Sequence, residues 1–91
     1  MKLIYSARAL ADLDRLRVFI AEHSPGAALR IVNALIARIE RLADFPAMGR
    51  EVKTAAPLQV RHFAFDAYVV RYVPTAEALV ILRVWHHRER R

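Results

Sequence analysis

Four histidines and a surplus of arginine are what this chain has to offer chemically. The histidines are His23, His62, His86 and His87. An imidazole changes charge near neutral pH and can take or give a proton, so His62 and His86 are candidates for acid–base work. Adjacent rings on an extended segment point to opposite sides, so His86 and His87 are not expected to serve one site. The net charge is +6, and Lys2 and Lys53 are the only lysines, so arginine carries the excess. A guanidinium presents a planar fork of donors that suits carboxylates and phosphates. This balance favours an acidic partner, whether nucleic acid, a ribosome or an acidic protein. Other chemistry is disfavoured. There is no cysteine, hence no disulfide or thiolate zinc site, which is compatible with a reducing cytoplasm. The histidines lack compact metal-ligand spacing, so no metal and no cofactor is expected. Gly26 and Gly49 are the only glycines, too few for a phosphate-cradling loop.

Elements that would position these residues follow from hydrophobic periodicity. Lys2 to Tyr5 reads as a strand, and Ser6 as a helix cap. Ala9, Leu13, Leu16 and Ile20 then recur at helical spacing, with Arg8, Asp12, Arg15 and Glu22 as the polar stripe. Ser24-Pro25 predicts a second helix start, whose apolar face is Ala28, Val32, Leu35, Ile39 and Leu42. The short join makes the two helices an antiparallel hairpin. Pro46 and Gly49 stop the second helix, and 49–57 is a polar connector. Residues 58–63, 67–73 and 79–85 are rich in β-branched and aromatic types and predict a three-stranded antiparallel meander. The tail from His86 to Arg91 is charged and expected to be exposed and irregular. The 91 residues make one domain over 1–91: an α+β fold, β-α-α-β-β-β, with a helical hairpin on one face of a small antiparallel sheet. No segment has the length of uninterrupted apolar residues that a membrane span needs.

Arg61, Arg71 and Arg83 each interrupt an apolar strand. The short link between the last two strands places Arg71 and Arg83 on one face, and a three-residue turn at Asp66 would add Arg61. The three would form a basic strip on the uncovered face. Phe63 and Tyr72 read as core, and Asp12, Asp14 and Glu22 as solvated charges.

Several strings resemble the ParE/RelE toxin superfamily, in order and spacing, over nearly the whole chain. Leu42, Phe45, Pro46, Gly49 and Arg50 resemble its helix-ending "L..FP..GR". Arg61, Phe63, Tyr68, Val70 and Tyr72 resemble "R.F.....Y.V.Y.V". Ile81, Leu82, Arg83, Val84, His86 and Arg88 resemble "ILRV.H..R". The resemblance implies a type II toxin of the ParE branch, a plasmid stabilisation toxin of the cytoplasm. It would inhibit DNA gyrase by binding and form a hetero-oligomer with a ParD-like antitoxin. RelE-type members instead cut mRNA on the ribosome, with a lysine pair, an arginine after the opening tyrosine of the second meander strand, and a late arginine and tyrosine. Here the lysine positions hold Val60 and His62, Val69 follows Tyr68, and Arg88 alone matches. An mRNA endonuclease would have to use His62, His86 and Arg88. A non-toxic basic binding module on the same fold is the third reading. The target-binding residues expected are Arg61, Arg71, Arg83, His86, Arg88 and Arg90. Those expected to meet the antitoxin are Arg15, Arg17, Arg61 and Arg71.

Overall fold

A computed structural model describes residues 1–55 and 58–89. Strand β1 (Lys2–Tyr5) leads into helix α1 (Ala7–His23), followed by α2 (Ala28–Leu42), β2 (Arg50–Glu51), β3 (Arg61–Phe65), β4 (Tyr68–Pro74) and β5 (Ala78–His86). The sheet order is β1-β5-β4-β3-β2. The fold class is the expected α+β, but the sheet is mixed: β1 runs parallel to β5, from Lys2 opposite Ala78 to Tyr5 opposite Ile81. The short strand β2 forms inside what reads as a polar connector, with Arg50 opposite His62.

Ser6 is the hinge between β1 and α1. Its hydroxyl accepts from the Ala9 N–H at 3.0 Å and donates to the Leu82 carbonyl at 2.9 Å, so one side chain caps the helix and ties it to β5. The buried stripes of both helices are those expected from the period, with one addition, Asp12. Helix α2 begins three residues later than its serine suggests. Ser24 ends α1, its carbonyl accepting from Ala27 N–H, and α2 starts with no side-chain cap.

The stripes close over Tyr68, Val70, Tyr72, Leu79, Ile81 and Val84, which with them form the core. Tyr72 is fully buried, yet its hydroxyl is satisfied: it donates to Pro46 O and accepts from Gly49 N, both at 2.8 Å. This pins the segment after α2 to the sheet. Gly49 is required there, because a Cβ would lie 2.6 Å from the Tyr72 hydroxyl and 2.8 Å from the His62 carbonyl.

Two local features set which side chains share a face. The β3–β4 turn holds two residues, not three, because Phe65 is paired with Tyr68. Asp66 takes the left-handed conformation with φ 52°, which aspartate tolerates better than most residues. In β5 the register slips by one residue: Arg71 faces Arg83 while Tyr72 faces Ile81, so Leu82 is the extra residue. Such a bulge lets Ile81 and Val84 both point to the helices and turns Arg83 outward.

Candidate binding site on the outer sheet face

The face away from the helices gathers the side chains the strand parity assigns to it. Arg50 stands beside His62, His62 beside Arg71, Arg71 beside Arg83, and Val69 beside Trp85. Arg61 does not join them. With a two-residue turn it falls opposite Tyr72 on the helix side, where its guanidinium bonds the Gly49 carbonyl and reaches Glu51 at 3.4 Å. The expected strip of Arg61, Arg71 and Arg83 is therefore corrected to Arg50, His62, Arg71 and Arg83.

Arg71 is held over the sheet by neutral partners. Its Nε donates to His62 Nε2 at 2.9 Å, and its guanidinium carbon lies 5.2 Å from the Trp85 ring centroid. His62 meets Trp85 edge-on at 5.3 Å. Burial, with Arg71 and Arg50 close by, holds the His62 imidazole below its ordinary pKa, so the ring is neutral and free to accept. Among the described residues no carboxylate forms an ion pair with Arg71.

Arg83 is anchored from behind. Its Nε and Nη2 donate to the Asp12 carboxylate at 2.8 and 3.2 Å. Asp12 is 2 % exposed. It also accepts the Val84 N–H at 2.9 Å and binds Arg15. Arg15 in turn donates to the Val84 carbonyl at 3.2 Å. Past Tyr5 no strand among the described residues pairs with this side of β5, and α1 supplies the edge partners instead: a carboxylate for the N–H, a guanidinium for the C=O. Burial opposes ionisation of Asp12, but hydrogen bonds from Arg83, Val84 and Arg15 prevail and lower its pKa to about 2. Asp12 is thus no solvated charge, which is the main site residue missed from the sequence. Its place three residues after Ala9 and four before Leu16, within the buried stripe, was the available signal.

The C-terminal turn is also less free than its composition suggests. Glu89 binds Arg15 through both carboxylate oxygens, at 2.9 and 3.1 Å, and accepts the His86 N–H at 2.8 Å. His86 packs on the helix side against Phe19 and Tyr68. His86 and His87 stack at 4.8 Å, because the strand ends at His86 and the alternation of sides ends with it. Arg88 is exposed, and Arg90 lies outside the described residues. Of the residues an RNase would need, His62 and His86 lie on opposite faces of the sheet, so the structure does not bring them together. Among the described residues there is no cluster of ligands able to hold a metal.

The sequence profile of the family described as "ParE toxin of type II toxin-antitoxin system, parDE" matches residues 3–91. The chain belongs to the ParE toxin family. Toxin RelE1 of Caulobacter vibrioides is 34% identical to this ParE-family toxin over 88 residues, covering 97% of this chain and 95% of the relative. Toxin RelE3 of the same organism is 33% identical over 84 residues, covering 92% and 91%. The fold is shared with a chain of the chromosomal ParDE toxin–antitoxin system of P. aeruginosa, at a TM-score of 0.79, 22% identity and coverage of 94% and 95%. It is shared too with a chain of the RelBE2 toxin–antitoxin complex of Mycobacterium tuberculosis, at 0.71, 23% identity, and 93% and 95%. The protein is the toxin of a type II toxin–antitoxin system. No helix among the described residues is long and apolar enough to cross a membrane.

Proposed function

We propose that this toxin arrests growth in the cytoplasm by binding DNA gyrase as a protein ligand, cutting no bond itself, and that a ParD-like antitoxin neutralises it in a hetero-oligomer. The observation that carries the reading is the partition of the polar residues. Arg50, Arg71 and Arg83 gather on the outer face, while His86 sits behind it against Phe19 and Tyr68. A surface of fixed guanidiniums around a tryptophan suits recognition of an acidic surface. It lacks a second proton-transfer group beside His62, which in-line RNA cleavage requires. Arg88, exposed at the turn after β5, extends the same charge, and Arg90 is assigned to this surface on sequence grounds alone.

The antitoxin is placed on the helical hairpin. Leu10, Val18 and Leu29 stand there 56%, 43% and 65% exposed, and Arg17 is exposed and, among the described residues, pairs with Asp14. An acidic, amphipathic segment that folds on binding matches that surface. Arg15 and Arg61, both tied to the toxin's own groups, would line its margin, and Arg71 would be covered where the segment turns onto the sheet.

Two readouts after induced expression test the proposal: gyrase supercoiling with the purified toxin, and translation-coupled mRNA cleavage. Loss of supercoiling with intact mRNA is expected. Cut mRNA with normal supercoiling would refute it and favour the RelE-type reading.

A further inference from the structure

Trp85 is a wall between two open concavities of different character. One, of about 530 Å³, is lined by Met48, Ala64, Val69 and His62, and by the cation Arg50. The other, of about 440 Å³, is lined by Arg71, Arg83 and Glu89. The half-buried indole thus has a hollow of mixed lining on one side, where Ala64 and Val69 offer apolar wall and Arg50 is the cation, and the Arg71 and Arg83 guanidiniums on the other, a setting that suits a base beside its phosphate.

The arginines are poised for an anion. Arg71 and Arg83 face each other directly across β4 and β5, an arrangement in which like charges repel. Asp12 offsets Arg83 but not Arg71. Arg71 donates only through Nε, to a neutral imidazole, and the Nη1 of Arg83 makes no hydrogen bond to the described residues. Free donors therefore remain on both forks, toward the side where Trp85 stands.

We propose that the outer face binds single-stranded nucleic acid, a base stacking against Trp85 while its phosphate is gripped by Arg71 and Arg83. The proposal rests on this face being the target surface, and extends it from a protein partner to the nucleic acid that such a target carries. A base must be unstacked to lie on an indole, which selects single strands over duplex. Glu89, bound to Arg15 at the margin of the phosphate hollow, repels the incoming phosphate and limits affinity.

Trp85 is the only tryptophan in the chain, so its fluorescence reports occupancy directly. The full chain is titrated with a short oligothymidylate in the absence of gyrase and ribosomes. Saturable quenching is expected, weakening with salt at a slope of about −0.7 for the one phosphate contacted. Arg71→Gln should weaken binding about tenfold at an unchanged melting temperature, whereas Glu89→Gln should tighten it. Trp85→Ala, followed by anisotropy of a labelled strand, should lose binding comparably. Absence of quenching in a folded wild-type chain would overturn the proposal. So would a poly-glutamate peptide of equal length that binds as tightly as the oligonucleotide, since that marks an acidic-protein surface. Neither result touches the supercoiling readout, so the gyrase reading stands or falls separately.

Discussion

Asp12 and Arg83 lie 71 residues apart in sequence and meet through two hydrogen bonds, at 2.8 and 3.2 Å, in the seam between α1 and β5. The same carboxylate closes the edge of β5 through the Val84 N–H. Removing it leaves a buried N–H unpaired and Arg83 without its counter-charge, while Arg15 keeps Glu89. Asp12→Ala is expected to cost about 3 kcal/mol or more, read as a fall in denaturant midpoint. Asp12→Asn, which keeps an acceptor, should cost less. Equal losses for the two would mean that the charge contributes nothing.

Stability should fall with acid in two steps. The folded His62 and His86 imidazoles are both held below their ordinary pKa, mainly by burial, so the unfolded chain binds more protons below about pH 6.5 and stability declines from there. Asp12, lowered from 3.8 to about 2, contributes stability that is complete above about pH 4 and lost as pH falls toward 2. That second step is worth about 2 kcal/mol. Urea melts between pH 2 and 8 would resolve the two, and Asp12→Asn should flatten only the lower one.

Tyr72 and Gly49 form a second checkpoint. Tyr72→Phe leaves the Pro46 carbonyl and Gly49 N–H without their partner and is expected to cost about 1–3 kcal/mol. Gly49→Ala forces a Cβ against the Tyr72 hydroxyl, with a similar expected loss of about 1–3 kcal/mol. The losses in the double variant should be less than additive, since each change breaks the same contact. Full additivity in thermal melts would contradict the structure.

Arg61 and Arg71 should separate in function. Arg71→Ala is expected to lower toxicity in a growth assay while changing stability by about 1 kcal/mol or less. Arg61→Ala should act mainly through stability, by releasing the Gly49 carbonyl and Glu51. Should Arg61→Ala abolish killing without altering the melt, the helix-side placement of its function would have to be revised.

The tail offers a comparison within two adjacent residues. Arg88→Ala changes an exposed charge and should leave stability within about 0.5 kcal/mol while reducing toxicity. Glu89→Ala unties the turn from Arg15 and should lower stability by about 1 kcal/mol, the scale of a partly exposed pair. Melting curves and growth assays on both single variants decide it.

The helical stripes were legible because burial on a helix depends on a local period: Leu13, Leu16, Val32, Leu35 and Ile39 needed no knowledge of the sheet. Face assignments in the meander depended on one residue of turn length, and Asp66 decided it. Aligning the aromatics would have given the answer, since Phe63 and Phe65 share parity with Arg61 and all pair toward Tyr68, Val70 and Tyr72. The parallel pairing of β1 with β5 and the burial of Asp12 rest on partners more than 70 residues away, which no local pattern encodes. The Glu89–Arg15 tie was hidden for the same reason: a charged tail reads as solvated until its partner helix is placed beside it.

The sheet order β1-β5-β4-β3-β2 has a consequence for synthesis. The strand translated last is an inner one, joined on one side to β1 and on the other to β4, and α1 closes its remaining edge. A nascent chain that has not yet extruded β5 has no seat for β1 or α1, and it cannot set Arg83 beside Arg71. The outer face is therefore assembled only after β5 has been made, a delay during which a partner already present in the cell can be waiting.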